Sequence, residues 1–241
     1  MKKFWLSEKM LANSFWHVLE SSIMTDTAKE DAKLVAERTS ELVHQFPALA
    51  GSISLDSAFY LWLVTRYFSP ENICEIGTYI GRSTLIMALA SADSLKSLYT
   101  CDGTFNCLKF KTFEGMTSNT KKNEAIKKIK YFGKTMSTDM LKNLRDENVT
   151  VDFVFIDGRI SQGDCEILRE IVSKDVIFLL DDFEGVEKGV MNTVILRQFF
   201  QNHLFLEPPI LSMRRDKLNL GLLIPSNIIN VARQQSLPVE M

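Results

Sequence analysis

The sequence predicts an α/β protein: an open, doubly wound sheet of seven strands, mostly parallel with an antiparallel last strand, preceded by N-terminal helices. Three observations carry this. Residues 72–84, Asn-Ile-Cys-Glu-Ile-Gly-Thr-Tyr-Ile-Gly-Arg-Ser-Thr, read as a short buried strand, a glycine-bearing turn and the first turn of a helix that continues through residues 85–90. Two nearly continuous apolar runs, starting at Val151 and at Val176, have the character of strands covered on both faces of a parallel sheet, and each stops on aspartate. Finally, Leu204-Phe205-Leu206-Glu207 and the run from Leu218 to Ile224, separated by Pro208-Pro209 and an Arg214-Arg215-Asp216 turn, fit a closing antiparallel pair.

The elements follow in order. Residues 4–23 place Phe4, Met10, Leu11, Phe15, Trp16, Leu19 and Ile23 at helical spacings. Thr27-Ala28-Lys29-Glu30 has the form of a capping box for a second helix that ends before Pro47, and a third helix runs from about Asp56 to Phe68, closed by Pro70. These helices either pack on the sheet or cap a substrate pocket. Leu98 to Gly103 reads as the second strand and Ile129 to Lys134 as the third. Between them Phe105, Phe110 and Phe113 sit in an irregular stretch, where they serve either as a lid or, the favoured reading, as anchors on the core. The six lysines between Lys121 and Lys134 share their run with Ala125 and Ile126, so a solvated helix face is preferred to a nucleic-acid patch. Ser161-x-x-Asp164 caps a helix between the two acid-ended strands, and another helix passes through Val190, Val194 and Phe199.

Composition excludes several classes. The net charge of −2 over 241 residues gives no general reason for a nucleic-acid or membrane partner. The four cysteines form no C-x-x-C pair and no metal-site grouping with histidine. Ser7, Glu8 and Lys9 interrupt the N-terminal apolar residues, and no apolar run reaches the roughly 18 residues of a membrane span, so a cytoplasmic chain is expected.

The turn after the first strand carries the chemistry. Gly77 and Gly81 lie where a tight turn needs positive φ or where backbone must approach a ligand closely, and Arg82, Ser83 and Thr84 follow at a helix N-terminus. A dinucleotide fingerprint would need glycines at positions three and six from Gly77, which are Tyr79 and Arg82. Asp102 ends the second strand 25 residues after Gly77, the distance at which a βαβ unit sets an acid against a ribose diol. In such a sheet ligands bind beyond the carboxyl ends of the strands, so Gly77, Asp102, Asp157, Asp181 and Asp182 should converge. Acids held that closely call for a positive charge, which a hard divalent cation such as Mg²⁺ supplies.

The Glu-Ile-Gly-Thr-Tyr-Ile-Gly-Arg-Ser-Thr wording, together with Phe-Ile-Asp-Gly followed 24 residues later by Asp-Asp, resembles the class I S-adenosylmethionine (SAM) methyltransferases. It is closest in form to the small-molecule O-methyltransferases of the catechol and caffeoyl-CoA type and the bacterial metal-dependent enzymes that modify antibiotics and sugars. The resemblance spans roughly residues 72–183. It implies a Rossmann-like fold with a helical segment over residues 1–70, part of the same domain, and a SAM-binding domain over 71–241. It further implies that Glu75, Gly77, Tyr79, Gly81 and Ser83 frame the methionyl end of SAM, Asp102 and Asp157 complete the cofactor site, and Met136 and Ser137 meet the adenine. Asp157, Asp181 and Asp182 would hold Mg²⁺ and a small-molecule acceptor, in a chain that forms a homodimer or acts alone. No nucleic-acid or membrane partner is implied.

One position departs from the resembled pattern. The relatives carry Lys or His three residues after the first metal aspartate, where this chain has Ile160. Arg159 is always protonated and cannot take a proton. The general base is therefore unassigned, with Asp157 a candidate, and His17, His44 and His203 are better read as structural. Two alternatives stay open: a metal-independent methyltransferase acting on an amine or carboxylate, and a non-catalytic protein that binds SAM or its product S-adenosylhomocysteine (SAH).

Overall fold

A computed structural model of the chain describes residues 15–19, 25–45, 53–104, 109–183, 186–206 and 220–228. Its seven strands run β1 Asn72–Ile76, β2 Ser97–Asp102, β3 Ile129–Gly133, β4 Val151–Ile156, β5 Val172–Leu180, β6 His203–Leu206 and β7 Gly221–Pro225. They form one sheet in the order β3-β2-β1-β4-β5-β7-β6, in which β7 inserts antiparallel between β5 and β6 and the other neighbours pair in parallel. The order reverses between β1 and β4, which opens a crevice at the carboxyl ends of the strands.

The helices are α1, described over residues 15–19, then α2 Thr25–Gln45, α3 Leu55–Phe68, α4 Arg82–Ala90, α5 Thr120–Lys127, α6 Ser137–Asp146, α7 Gln162–Ile171 and α8 Met191–Phe199. Two apolar layers result. One face of the sheet packs Ile73, Phe153, Phe155 and Leu179 against α2 to α5, with Leu61, Leu63 and the wholly buried stretch Leu85 to Ala88 filling the layer. The other packs Cys74, Val154, Ile156 and Phe178 against α6, α7 and α8 through Met140, Leu141, Leu168 and Leu196. Alternate residues of one strand therefore serve opposite layers, as the two-residue period of a strand requires.

The N-terminal helices are tied to the sheet's helical layer by polar as well as apolar contacts. Asp31 of α2 receives Trp62 Nε1 of α3 at 2.8 Å and the Lys122 ammonium of α5 at 2.7 Å, all three side chains being largely buried. Phe15 of α1 packs edge-on to Tyr67 and stacks with Phe68. Arg82, at the start of α4, reaches the Ile53 carbonyl and Thr39.

Local sequence signals agree with most boundaries and miss two. Ser161 and Asp164 form the expected capping box, Ser54 caps α3, and Phe110 and Phe113 are buried anchors on a short 3-10 turn. Helix α2, however, begins at Thr25, so Thr27 lies inside its first turn and the expected box at 27–30 does not mark the start. Strand β5 begins at Val172 rather than Val176, because Val151 of β4 pairs with Val172 before an irregularity shifts the register. Phe105, Arg214, Arg215 and most of the 4–23 helix lie outside the described residues.

Candidate active site

The turn between β1 and α4 is shaped by three residues in the left-handed region: Gly77 at φ 102°, Tyr79 at 47° and Gly81 at 76°. Gly77 is needed on two counts. A Cβ there would lie 2.9 Å from the Gly158 nitrogen and 3.0 Å from the Asp157 carbonyl carbon, and L side chains rarely adopt that φ. The close approach locks two loops together, since the Asp157 and Gly158 N–H groups both donate to the Ile76 carbonyl at 2.9 and 2.8 Å. The turn after β1 and the end of β4 are thus held as one unit.

Asp102, at the end of β2, fixes the other side. Its carboxylate accepts the Tyr79 N–H at 2.8 Å and the Thr104 N–H at 2.8 Å. Tyr79 is a bulky residue in a sparsely populated conformation, and its N–H bond to Asp102 and the Gly81 N–H bond to the Thr78 carbonyl at 2.8 Å help hold the turn.

Glu75 faces inward. Its fully buried carboxylate accepts hydroxyl bonds of 2.5 Å from Ser83, Thr84 and Thr100, and Thr100 is itself within 2.5 Å of Thr78. Burial pushes its pKa up to about 7, although the three hydroxyl bonds pull the other way. Glu75 and Ser83 therefore spend their polar atoms on each other behind the turn. Neither they nor Gly81 line the cleft; all three shape the loop that does.

That cleft has a volume of about 450 Å³, within the ~300–1,000 Å³ usual for small-molecule sites. Gly77, Tyr79, Asp102, Ser137, Asp157 and Lys188 are among its walls. Met136, more than half exposed, and Ser137 form the edge at the start of α6. The Ser137 hydroxyl donates to Asp164 at 3.2 Å. Cys101 also lines the cleft, but burial pushes its thiol up to about 12, which removes it as a thiolate nucleophile.

The acids at the ends of β4 and β5 do converge. Asp157, Asp181 and Asp182 each bring a carboxylate oxygen within 4.8 Å of the others. Burial, then the charge of Asp181, hold the Asp157 carboxyl well above its ordinary value. The sequence reading missed what lies among them. The Lys188 ammonium contacts the Asp182 carboxylate directly, lies 3.6 Å from Asp157 Oδ1 and donates to the Asp157 carbonyl at 3.2 Å. Burial works against that ammonium, yet its contacts with Asp182 and Asp157 raise its pKa overall. The donor set suits a hard divalent cation, and two of its three carboxylates, those of Asp157 and Asp182, lie against a cation of the chain's own. The only sequence signal for Lys188 is that it is the first cation after Asp181-Asp182.

Ile160 is buried in the apolar layer, and its backbone N–H is held by Asn192 at 3.2 Å, so this position supplies no base. Exposed His17 is on α1. His203 bonds the Val176 carbonyl midway along β5, away from the acids that follow that strand, and burial lowers its pKa. The side chain of His44 lies outside the described residues.

Strand order, glycine turn and acid-ended strands together define the Rossmann-like fold of class I SAM-dependent methyltransferases. Residues 74–183 match a family model described as a methyltransferase domain. Among solved structures, an O-methyltransferase from Bacillus cereus in complex with SAH is 17% identical, with a TM-score of 0.52, covering 87% of this chain and 96% of that one. The O-methyltransferase TomG from Streptomyces achromogenes, involved in tomaymycin synthesis and bound to SAM, is 16% identical with a TM-score of 0.53, covering 91% and 99%. SAH-bound methyltransferase PaMTH1 from Podospora anserina is 16% identical at 0.52, covering 94% and 100%. No curated protein matches the chain. Among the described residues no helix is long and apolar enough to cross a membrane.

Proposed function

We propose that the chain transfers the methyl group of SAM to a hydroxyl of a small molecule. The observation that carries this reading is the composition of one cleft: the Gly77–Tyr79 turn and Asp102 on one side, Asp157 and Lys188 on the other, with Asp181 and Asp182 clustered against Asp157. Gly77 offers an approach without a side chain for the methionyl end, Asp102 an acid for the ribose diol, and Met136 and Ser137 a rim for the adenine. The likeness of the fold to the O-methyltransferases from Bacillus cereus and Streptomyces achromogenes supports the choice of oxygen as acceptor.

Little covalent help is needed from the protein. The sulfonium methyl is already activated, so the acceptor oxygen forms the new C–O bond as the C–S bond breaks, SAH leaves as a neutral thioether, and the hydroxyl proton passes to the acidic cluster. Alignment of oxygen, carbon and sulfur and exclusion of water supply the rate. A divalent cation and the Lys188 ammonium are rivals for the oxygens of Asp157 and Asp182.

The test is a calorimetric titration of the full chain with SAH, with NAD as control. Micromolar SAH affinity with no NAD signal is the expected result, followed by methyl transfer from radiolabelled SAM in a screen of hydroxylated acceptors. No heat with SAH would refute the reading. Transfer confined to amines or carboxylates would refute the hydroxyl.

A further inference from the structure

We infer that Lys188 is the resident cation of the acidic cluster, taking the electrostatic place of a divalent metal, and that the site works without one. This rests on the cleft being a methyltransferase site, and it names the charge that organises the acceptor side. Lys188 does not reach the acids by chance of a long side chain. It belongs to a π turn, Val186–Val190, that leads into α8, a backbone form that recurs at functional sites. Gly189 lets that turn lie against the end of β5: a Cβ there would fall 2.7 Å from the Asp181 carbonyl oxygen, 2.8 Å from the Phe183 ring and 2.9 Å from the Asp182 carbonyl oxygen.

Two hydrogen bonds secure the approach. The Gly189 N–H donates to the Asp182 carbonyl at 3.2 Å, and the Thr193 hydroxyl donates to the Gly189 carbonyl at 2.8 Å. Asn192, the second residue of α8, ties the helix to the other acid-bearing loop through the Gly158 carbonyl at 2.8 Å and the Ile160 N–H at 3.2 Å. The start of α8 is thereby bound to the ends of both β4 and β5, and the ammonium between Asp157 and Asp182 is held from both sides. An ammonium has three N–H donors and no acceptor. Its contacts with Asp182, Asp157 Oδ1 and the Asp157 carbonyl place its charge on two of the three carboxylates a metal would share. Placing a second cation there would force two like charges into one small space.

Lys188→Met keeps the apolar stem and removes the charge, so it should open the cluster to metal. The probe is Mn²⁺, titrated into chelator-treated full chain and followed by electron paramagnetic resonance. The wild type should bind Mn²⁺ only in the millimolar range, and its SAH affinity should be unchanged by chelator. Lys188→Met should bind Mn²⁺ at least about tenfold more tightly, and Asp157→Asn in that background should abolish the gain. Tight Mn²⁺ binding by the wild type would overturn the inference, and needs no variant to fold. So would a well-folded Lys188→Met with no gain in Mn²⁺ affinity. Failure of SAH to bind would instead strike the methyltransferase reading and leave the Mn²⁺ result to stand on its own.

Discussion

Glu75→Gln tests the inward-facing half of the glycine turn. The carboxyl is wholly buried and its pKa stands near 7 against an ordinary 4.5. The unfolded chain releases this proton at the lower value and the folded chain at the higher, so protonation favours folding. Its stabilising effect is fully present below pH 4.5, falls as the pH rises through the 4.5 to 7 window, and is gone above it. A shift of that size is worth about 3 kcal/mol in the limit, and the linkage relation assigns most of it, about 2 to 3 kcal/mol, to the interval between pH 5 and pH 8. The substituted side chain cannot ionise, while its amide can still meet the hydroxyls of Ser83, Thr84 and Thr100, which accept as well as donate. Urea unfolding of both proteins without cofactor at pH 5 and pH 8 isolates the effect, because every other titrating group is shared. The wild type should lose about 2 to 3 kcal/mol more than Glu75→Gln across that interval. Equal losses, to within about 0.5 kcal/mol, would show that the three hydroxyls hold Glu75 ionised and that burial is not the larger influence.

Two further substitutions probe other links in the same structure. Gly77→Ala should weaken SAH binding by about tenfold or more, since the new Cβ meets the Gly158 nitrogen at 2.9 Å at a φ of 102° and must part the two loops; unchanged affinity by calorimetry would contradict the tight coupling of those loops. Lys122→Met strands the buried Asp31 carboxylate and should cost about 3 kcal/mol, the lower end for a broken buried pair because the lysine side chain keeps 16% of its exposure. Asp31→Asn in the same background, which keeps an acceptor for Trp62, should recover most of that loss in urea unfolding.

How far the sequence reveals this site follows from what each residue depends on. Asp102, Asp157 and Asp181 are legible because each sits at or just past the end of an apolar strand, and a parallel sheet sends all such ends to one side. The core strands are legible for the same reason, being apolar on both faces. Glu75 looks like a ligand residue by its place before the glycine turn, but its side chain is aimed by the strand's alternation at the first turn of α4, where Ser83 and Thr84 wait with hydroxyls. Only the packing of α4 on β1 decides between those two fates.

Lys188 shows the opposite case, a residue with no motif around it whose role comes wholly from tertiary geometry. The segment after Asp182 reads as an ordinary helix start, and a regular helix there carries no reason to return over the strand ends. The π turn and the bare Cα of Gly189 change its course, and an ammonium six residues from Asp182 in sequence comes into contact with it. Ile160 then ceases to be a defect. The buried isoleucine packs in the apolar layer, and its backbone N–H, held by Asn192, ties the β4 loop to the helix that delivers Lys188.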